Sequence, residues 1–144
     1  MKAALFVLML AAADPFSGVW KLNLAKSKLP PPPPPAPRSH IVRSEVDANG
    51  IRLREEVIND KGERLTIILK ARFDGKDYAI TGTPFADAAA YRRVDSRTLK
   101  GTVKKAGKVV VLETVVVSDD GKTLTGTYST PDGKPAGTAV FEKQ

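Results

Sequence analysis

Turn dipeptides that end in glycine divide most of this chain into short segments, and they constrain the fold more than any other feature. Asparagine or aspartate followed by glycine adopts positive φ angles at low cost, and such turns close β-hairpins. The segments between the turns are rich in valine, isoleucine, threonine and leucine, which favour strands. The dipeptides are Asn49-Gly50, Lys61-Gly62, Asp74-Gly75, Ala106-Gly107, Asp120-Gly121 and Asp132-Gly133.

This rhythm predicts an all-β protein, an antiparallel up-and-down meander that closes as a barrel of about 8–10 strands. We expect the first and last strands to pair, because an open sheet edge invites aggregation. The predicted strands cover 16–24, 38–47, 51–59, 63–73, 77–81, 86–94, 97–105, 108–118, 122–129 and 135–143.

The chain divides into a predicted signal peptide at 1–13 and a single barrel domain at 14–144. Lys2 is followed by an apolar run from Ala3 to Leu10 and by three alanines, the order typical of a secretory signal. This run is too short to span a bilayer. The chain has no cysteine, so no disulfide is expected. These features predict a secreted or periplasmic bacterial protein.

A proline-rich crossover is predicted at 29–37, between the first two strands. Six consecutive prolines, Pro30 to Pro35, favour a polyproline II rod, which cannot take part in a sheet because proline lacks an N–H donor. We interpret the segment as a stiff connection over one end of the barrel. The alternative is a ligand for a proline-binding domain.

The chain carries a net charge of +7, but its lysines and arginines are scattered over the predicted strands and turns. A nucleic-acid groove would need clustered basic residues together with stacking aromatics, and aromatics make up only 6% of the chain. The charge is therefore interpreted as a solubilising surface, and no nucleic-acid partner is predicted.

Side-chain alternation sorts each predicted strand into two faces, and three charged residues fall on the apolar ones. These are Glu55, Arg92 and Glu113, and a buried charge must pair, reach water or bind a ligand. One interpretation is a cavity in which Arg92 binds a ligand carboxylate. A structural ion pair, or a bulge that turns the charges outward, would also explain the pattern. The candidate ligand-binding residues are Trp20, Glu55, Arg92, Glu113 and Tyr128.

Side chains for most kinds of catalysis are missing from the sequence. His40 is the one histidine, and we interpret it as a strand-end residue without a partner. No catalytic triad, metal site or cofactor is predicted. Paired carboxylates at Glu55 and Glu113 would be the only internal candidates for hydrolysis.

The tripeptide Gly18-Val19-Trp20, in the first strand of a meander, resembles the Gly-x-Trp motif of lipocalins. That resemblance implies a β-barrel with a central pocket for a small apolar molecule, closed at one end by the tryptophan. Lipocalins also carry an arginine, on a late strand, that packs across this tryptophan, and the last two predicted strands here contain none.

A wider likeness covers nearly all of the chain after the predicted signal. It is similar to small exported bacterial proteins of lipocalin-like type, which are largely uncharacterised. The residues that carry this likeness are Trp20 to Lys28, Asp74 to Tyr78 and Thr81 to Pro84.

Taken together, these features predict a secreted, non-catalytic barrel that binds a small hydrophobic or amphipathic molecule. The alternative is a structural or interaction protein with a filled core that acts through its basic surface and proline-rich segment. An enzyme is the third alternative. The sequence identifies neither the ligand nor the oligomeric state.

Overall fold

The computed structural model of this protein describes residues 13–29 and 36–144. The predicted signal peptide, apart from Ala13, and the six prolines of the predicted crossover lie outside the described residues. Within the described ranges, no helix has the length and apolar character needed to cross a bilayer. The strands are β1 (Gly18–Leu22), β2 (Ser39–Val46), β3 (Gly50–Ile58), β4 (Arg64–Arg72), β5 (Tyr78–Thr81), β6 (Ala88–Asp95), β7 (Thr98–Lys105), β8 (Lys108–Val117), β9 (Thr123–Ser129) and β10 (Pro135–Lys143).

The ten strands form one closed antiparallel barrel with up-and-down connectivity, which confirms the predicted fold class. Each strand pairs with its neighbours in the chain, and β1 pairs with β10 to close the sheet. The closing register places Trp20 opposite Lys143 and Leu22 opposite Phe141. Closure leaves no open edge, as the position of the last predicted strand indicated.

The glycine turns occur where the sequence predicts them, with one difference. Gly62, Gly75, Gly107, Gly121 and Gly133 all adopt positive φ. Gly50 does not: it begins β3, and a Cβ there would lie 2.4 Å from the carbonyl oxygen of Ala71. Glycine at position 50 is therefore needed for close strand approach rather than for turn geometry.

Apolar and polar side chains alternate along the strands, and the apolar ones form the core. On β3, β4, β7 and β9, the residues that alternation sorts to the apolar face turn inward, as predicted. Those that pack into the core or line the interior include Ile51, Leu53, Glu55, Ile67, Leu69, Ala71, Phe73, Leu99, Val103, Leu124 and Tyr128. Leu69 and Leu99 are buried, whereas Arg52 and Lys100 on the opposite faces are exposed. One face of the sheet is thus apolar and enclosed, and the other faces solvent.

One end of the barrel is closed by residues that precede β1. The carbonyl oxygen of Phe16 accepts hydrogen bonds from the indole Nε1 of Trp20, at 3.1 Å, and from the hydroxyl of Ser44. Ser17 links the same segment to β2, because its hydroxyl donates to the Val46 carbonyl oxygen at 3.0 Å. Phe16 and Trp20 are consequently buried with Val46 at the base of the core.

Two cations pack against the aromatic rings at this end. The Arg93 guanidinium lies 5.6 Å from the ring centre of Phe16 and 5.0 Å from that of Phe73, and it pairs with the Asp14 carboxylate at 2.7 Å. The Lys143 ammonium, at the end of β10, lies 5.4 Å from the ring centre of Trp20. A last-strand cation thus packs on the tryptophan although no arginine occupies that strand.

Trp20→Ala should lower the free energy of unfolding by about 3–5 kcal/mol, because it leaves a large void in a fully buried position. Lys21→Ala, the matched change on the exposed neighbouring residue, should shift it by no more than about 0.5 kcal/mol. Urea denaturation of both variants measures the difference. Equal effects would contradict the role of Trp20 in closing the barrel.

Candidate functional site

The interior of the barrel contains a cavity of about 300 Å³. Most of its wall consists of valine, isoleucine, leucine and phenylalanine side chains from the inward faces of the strands. Such a mainly apolar wall with a few polar groups is typical of small-molecule sites. The polar residues that line the cavity are His40, Ser44, Glu55, Thr83, Tyr91, Glu113 and Tyr128.

The cavity reaches the end of the barrel opposite the Trp20 base. Thr83, Phe85 and Ala86, from the connection between β5 and β6, contribute to its wall. Phe85 is 60% exposed, an unusual environment for a large aromatic side chain. Because this ring faces both solvent and the cavity, the β5–β6 connection forms the mouth of the site.

Strand register brings four residues into one row across the cavity wall. Tyr91 on β6 lies opposite Gly101 on β7, Gly101 lies opposite Glu113 on β8, and Glu113 lies opposite Tyr128 on β9. The hydroxyl of Tyr91 donates a hydrogen bond to Glu113 Oε1, across the strand that separates them. The register of four neighbouring strands thus creates one row, with three polar side chains, from residues far apart in sequence.

Gly101 makes this hydrogen bond possible because it has no side chain. A Cβ at position 101 would lie 2.5 Å from Cε1 of Tyr91 and 2.9 Å from Oε1 of Glu113. Real Cβ atoms do not approach other heavy atoms so closely, so any larger residue would displace the tyrosine ring. The glycine is thus a steric requirement of the polar row.

The enclosed setting changes the acidity of three groups in this row. Removal from water raises the pKa of Glu113, the charge of Glu55 raises it further, and the Tyr91 hydrogen bond opposes the rise. Burial and the negative charges of Glu113 and Glu55 raise the pKa values of Tyr91 and Tyr128 well above their usual range. Both phenols therefore remain neutral and keep their protons for hydrogen bonding.

Glu55 forms a second polar pair in the same cavity. Its Oε2 lies 2.7 Å from Nε2 of His40, and the His40 ring packs edge-on against Phe141 with ring centres 5.1 Å apart. The prediction that His40 has no partner is therefore wrong. The two residues are diagonal neighbours across β2 and β3, since His40 lies opposite Val57 and Glu55 lies opposite Val42.

Several polar atoms in the cavity wall have no hydrogen-bond partner within residues 13–29 and 36–144. They are the Tyr128 hydroxyl, Oε2 of Glu113 and Oε1 of Glu55. The hydrogen bond from Tyr91 uses Oε1 of Glu113, and the contact with His40 uses Oε2 of Glu55. The Tyr128 ring leans over Gly126, where a Cβ would lie 2.9 Å from its hydroxyl oxygen. Polar groups left open in an apolar cavity are available to a ligand.

The predicted inward orientation of Arg92 is wrong. Arg92 is exposed on the outer face of β6, and its guanidinium lies over the turn at Gly75, where a Cβ would be 2.5 Å from Nε. Ala89, Tyr91 and Arg93 point inward instead, one residue out of phase with the prediction. The alanines that precede Arg92 are small enough for either face of the sheet, so they did not indicate which residues of this strand point inward.

The structure brings together three of the five predicted site residues. Glu55, Glu113 and Tyr128 line the cavity. Trp20 does not line it and lies behind Phe16 in the core. Sequence reasoning missed Tyr91 and His40, although Tyr91 follows directly from the corrected phase of β6.

The function of this cavity cannot be read from a metal centre or from a related protein. Across residues 13–29 and 36–144, no group of three or more histidine, cysteine, aspartate or glutamate side chains is arranged to hold a metal ion. No protein-family model matches the chain, and no curated protein matches it in sequence. The fold and the cavity geometry therefore carry the functional interpretation.

Gly101→Ala should destabilise the protein by about 1–3 kcal/mol, because the new methyl group displaces Tyr91. In a Tyr91→Ala background the same substitution should cost clearly less, since the obstructing ring is gone. A double-mutant cycle of unfolding free energies measures this coupling. An identical cost in both backgrounds would show that the ring does not require the glycine.

Proposed function

We propose that this protein is a secreted, non-catalytic, lipocalin-like barrel that binds a small hydrophobic or amphipathic molecule in its interior. The observation that carries the proposal is the cavity of about 300 Å³ inside a closed barrel, with a mainly apolar wall. This volume lies at the lower limit for small-molecule sites. A filled-core interaction protein would have no use for such a space.

The lipocalin-like assignment is supported by the position of the Gly18-Val19-Trp20 motif. The motif lies in the first strand of the barrel, and its tryptophan is fully buried at the end opposite the mouth. Lys143 packs on the tryptophan ring from the last strand, in the manner that the family's arginine does. These features match the resemblance in architecture and in the location of the tryptophan.

Secretion is supported by the sequence before Asp14. A lysine, an apolar run and three alanines in that order are typical of an exported protein. Binding rather than catalysis is supported by the way the polar side chains are used. His40 pairs with Glu55 and Tyr91 pairs with Glu113, within a wall that is otherwise mainly apolar.

A homologous series of straight-chain alcohols tests the proposed binding site. Each buried methylene contributes about 0.8 kcal/mol, so Kd should fall about fourfold per carbon from pentan-1-ol to octan-1-ol. The trend should end when the ligand fills the cavity. A water-sized group occupies about 30 Å³, so a cavity of about 300 Å³ holds about ten heavy atoms. Isothermal titration calorimetry on a series extended from pentan-1-ol to undecan-1-ol measures both the slope and the chain length at which it ends.

Val103→Trp provides the variant for this experiment, because Val103 lines the cavity and the indole would occupy most of it. Thr102→Trp is the matched control, since Thr102 lies on the outer face of the same strand beside Arg92 and Lys100. The first substitution should abolish alcohol binding and the second should leave Kd within about twofold. No binding by the unsubstituted protein, or equal binding by both folded variants, would refute the proposed site.

A further inference from the structure

The cavity presents hydrogen-bond acceptors and negative charge to a ligand. Glu113 Oε2 and Glu55 Oε1 have no partner among the described residues, and the Tyr128 hydroxyl beside them is equally open. Neither lysine nor arginine lines the cavity in the part of the chain that the structure describes. A ligand in contact with this wall must therefore satisfy acceptors within apolar surroundings, where unpaired charge is costly.

We propose that the ligand is a small amphiphile whose polar end is a protonated primary amine, held by Glu113 and Glu55. This inference rests on the proposed binding function and specifies the ligand's chemistry. The apolar part of the molecule fills the rest of the cavity and extends toward the mouth at Phe85.

The hydrogen-bond inventory favours an ammonium group over other polar ends. An ammonium offers three donors and no acceptor, and the open groups comprise two carboxylate oxygens and one phenolic oxygen that can also accept. A neutral alcohol offers one donor and leaves the remaining acceptors unsatisfied. A carboxylate offers no donor to these acceptors and would lie next to two other carboxyl groups, which disfavours it.

The charge of the cavity differs in sign from that of the whole protein. The chain carries a net charge of +7, so its outer surface attracts anions and repels cations. Preferential binding of an amine would therefore not arise from general attraction to the surface. It would have to come from the interior carboxylates.

The environment of Glu113 should make the affinity for an amine depend on pH. Its pKa is raised mainly by removal from water, and an ammonium next to it would reverse that effect. On acidification Glu113 takes up a proton and loses its charge, while Tyr91 and Tyr128 stay neutral. Glu55 and His40 are the other titratable side chains that line this cavity among the described residues. Amine affinity should therefore fall as pH decreases from neutral, whereas alcohol affinity should remain nearly constant.

Three ligands with the same chain length test the proposal by calorimetry on the protein at pH 7: octylamine, octan-1-ol and octanoate. Charge-assisted hydrogen bonds are strong enough that octylamine should bind at least about tenfold more tightly than octan-1-ol. Octanoate should bind most weakly. Repeating the titrations at pH 5 should weaken octylamine binding and leave octan-1-ol binding nearly unchanged.

Glu113→Gln should weaken octylamine binding by about tenfold and change octan-1-ol binding by less than about twofold. Glu56→Gln is the matched control, because Glu56 is on the outer face of β3 and contacts Arg54 and Arg64 at 3.5 and 3.9 Å. It should change neither affinity. Glu55→Gln provides a second interior variant if Glu113→Gln does not fold.

The outcomes separate this inference from the function on which it rests. Binding of octan-1-ol at least as tight as that of octylamine, or tightest binding of octanoate, would overturn the amine assignment and leave the binding site intact. Loss of amine preference in Glu56→Gln, but not in the interior variants, would also overturn it. Binding of none of the three ligands would overturn the proposed function as well.

Discussion

Pairing of the first strand with the last is the interaction on which the remainder of the structure depends. Three residue pairs between β1 and β10, centred on Lys21 and Glu142, convert a meander into a closed barrel. Closure removes the sheet edges and gives every inward side chain an enclosed environment. The segment that contains Phe16 then covers one end, and the connection at Phe85 leaves the other accessible. A cavity rather than a groove results.

Enclosure also determines how the interior polar groups behave. On a wet sheet face, Glu113 and Glu55 would be ordinary solvated carboxylates of little consequence. Inside the barrel, desolvation raises the pKa of Glu113, and each carboxylate uses one oxygen to accept or share a proton with Tyr91 or His40. Their other oxygens stay open toward the cavity. The same closure that stabilises the fold therefore creates a site that favours a hydrogen-bond donor with positive charge.

The strands were predictable because turn glycines and β-branched runs act locally, and all ten predicted strands overlap the observed ones closely. Glu55 and Tyr128 were found because apolar and polar residues alternate clearly along their strands. Glu113 lies on a strand that is apolar on both faces, and it was found as a lone charge among valines. Arg92 was misplaced because the alanines before it fit either face, so distant contacts made by Tyr91 and Arg93 set the phase instead. The pairing of His40 with Glu55 depends on the register between β2 and β3, which the sequence pattern does not specify.

The most direct test of the account is a carbon-13 NMR titration of the Glu113 side-chain carboxyl, assigned by its disappearance in Glu113→Gln. In the free protein, the midpoint of the Glu113 titration should lie above the ordinary glutamate value. Saturation with octylamine should lower that midpoint, and saturation with octan-1-ol should not. An ordinary midpoint that octylamine leaves unchanged would contradict an enclosed carboxylate that binds a cationic ligand.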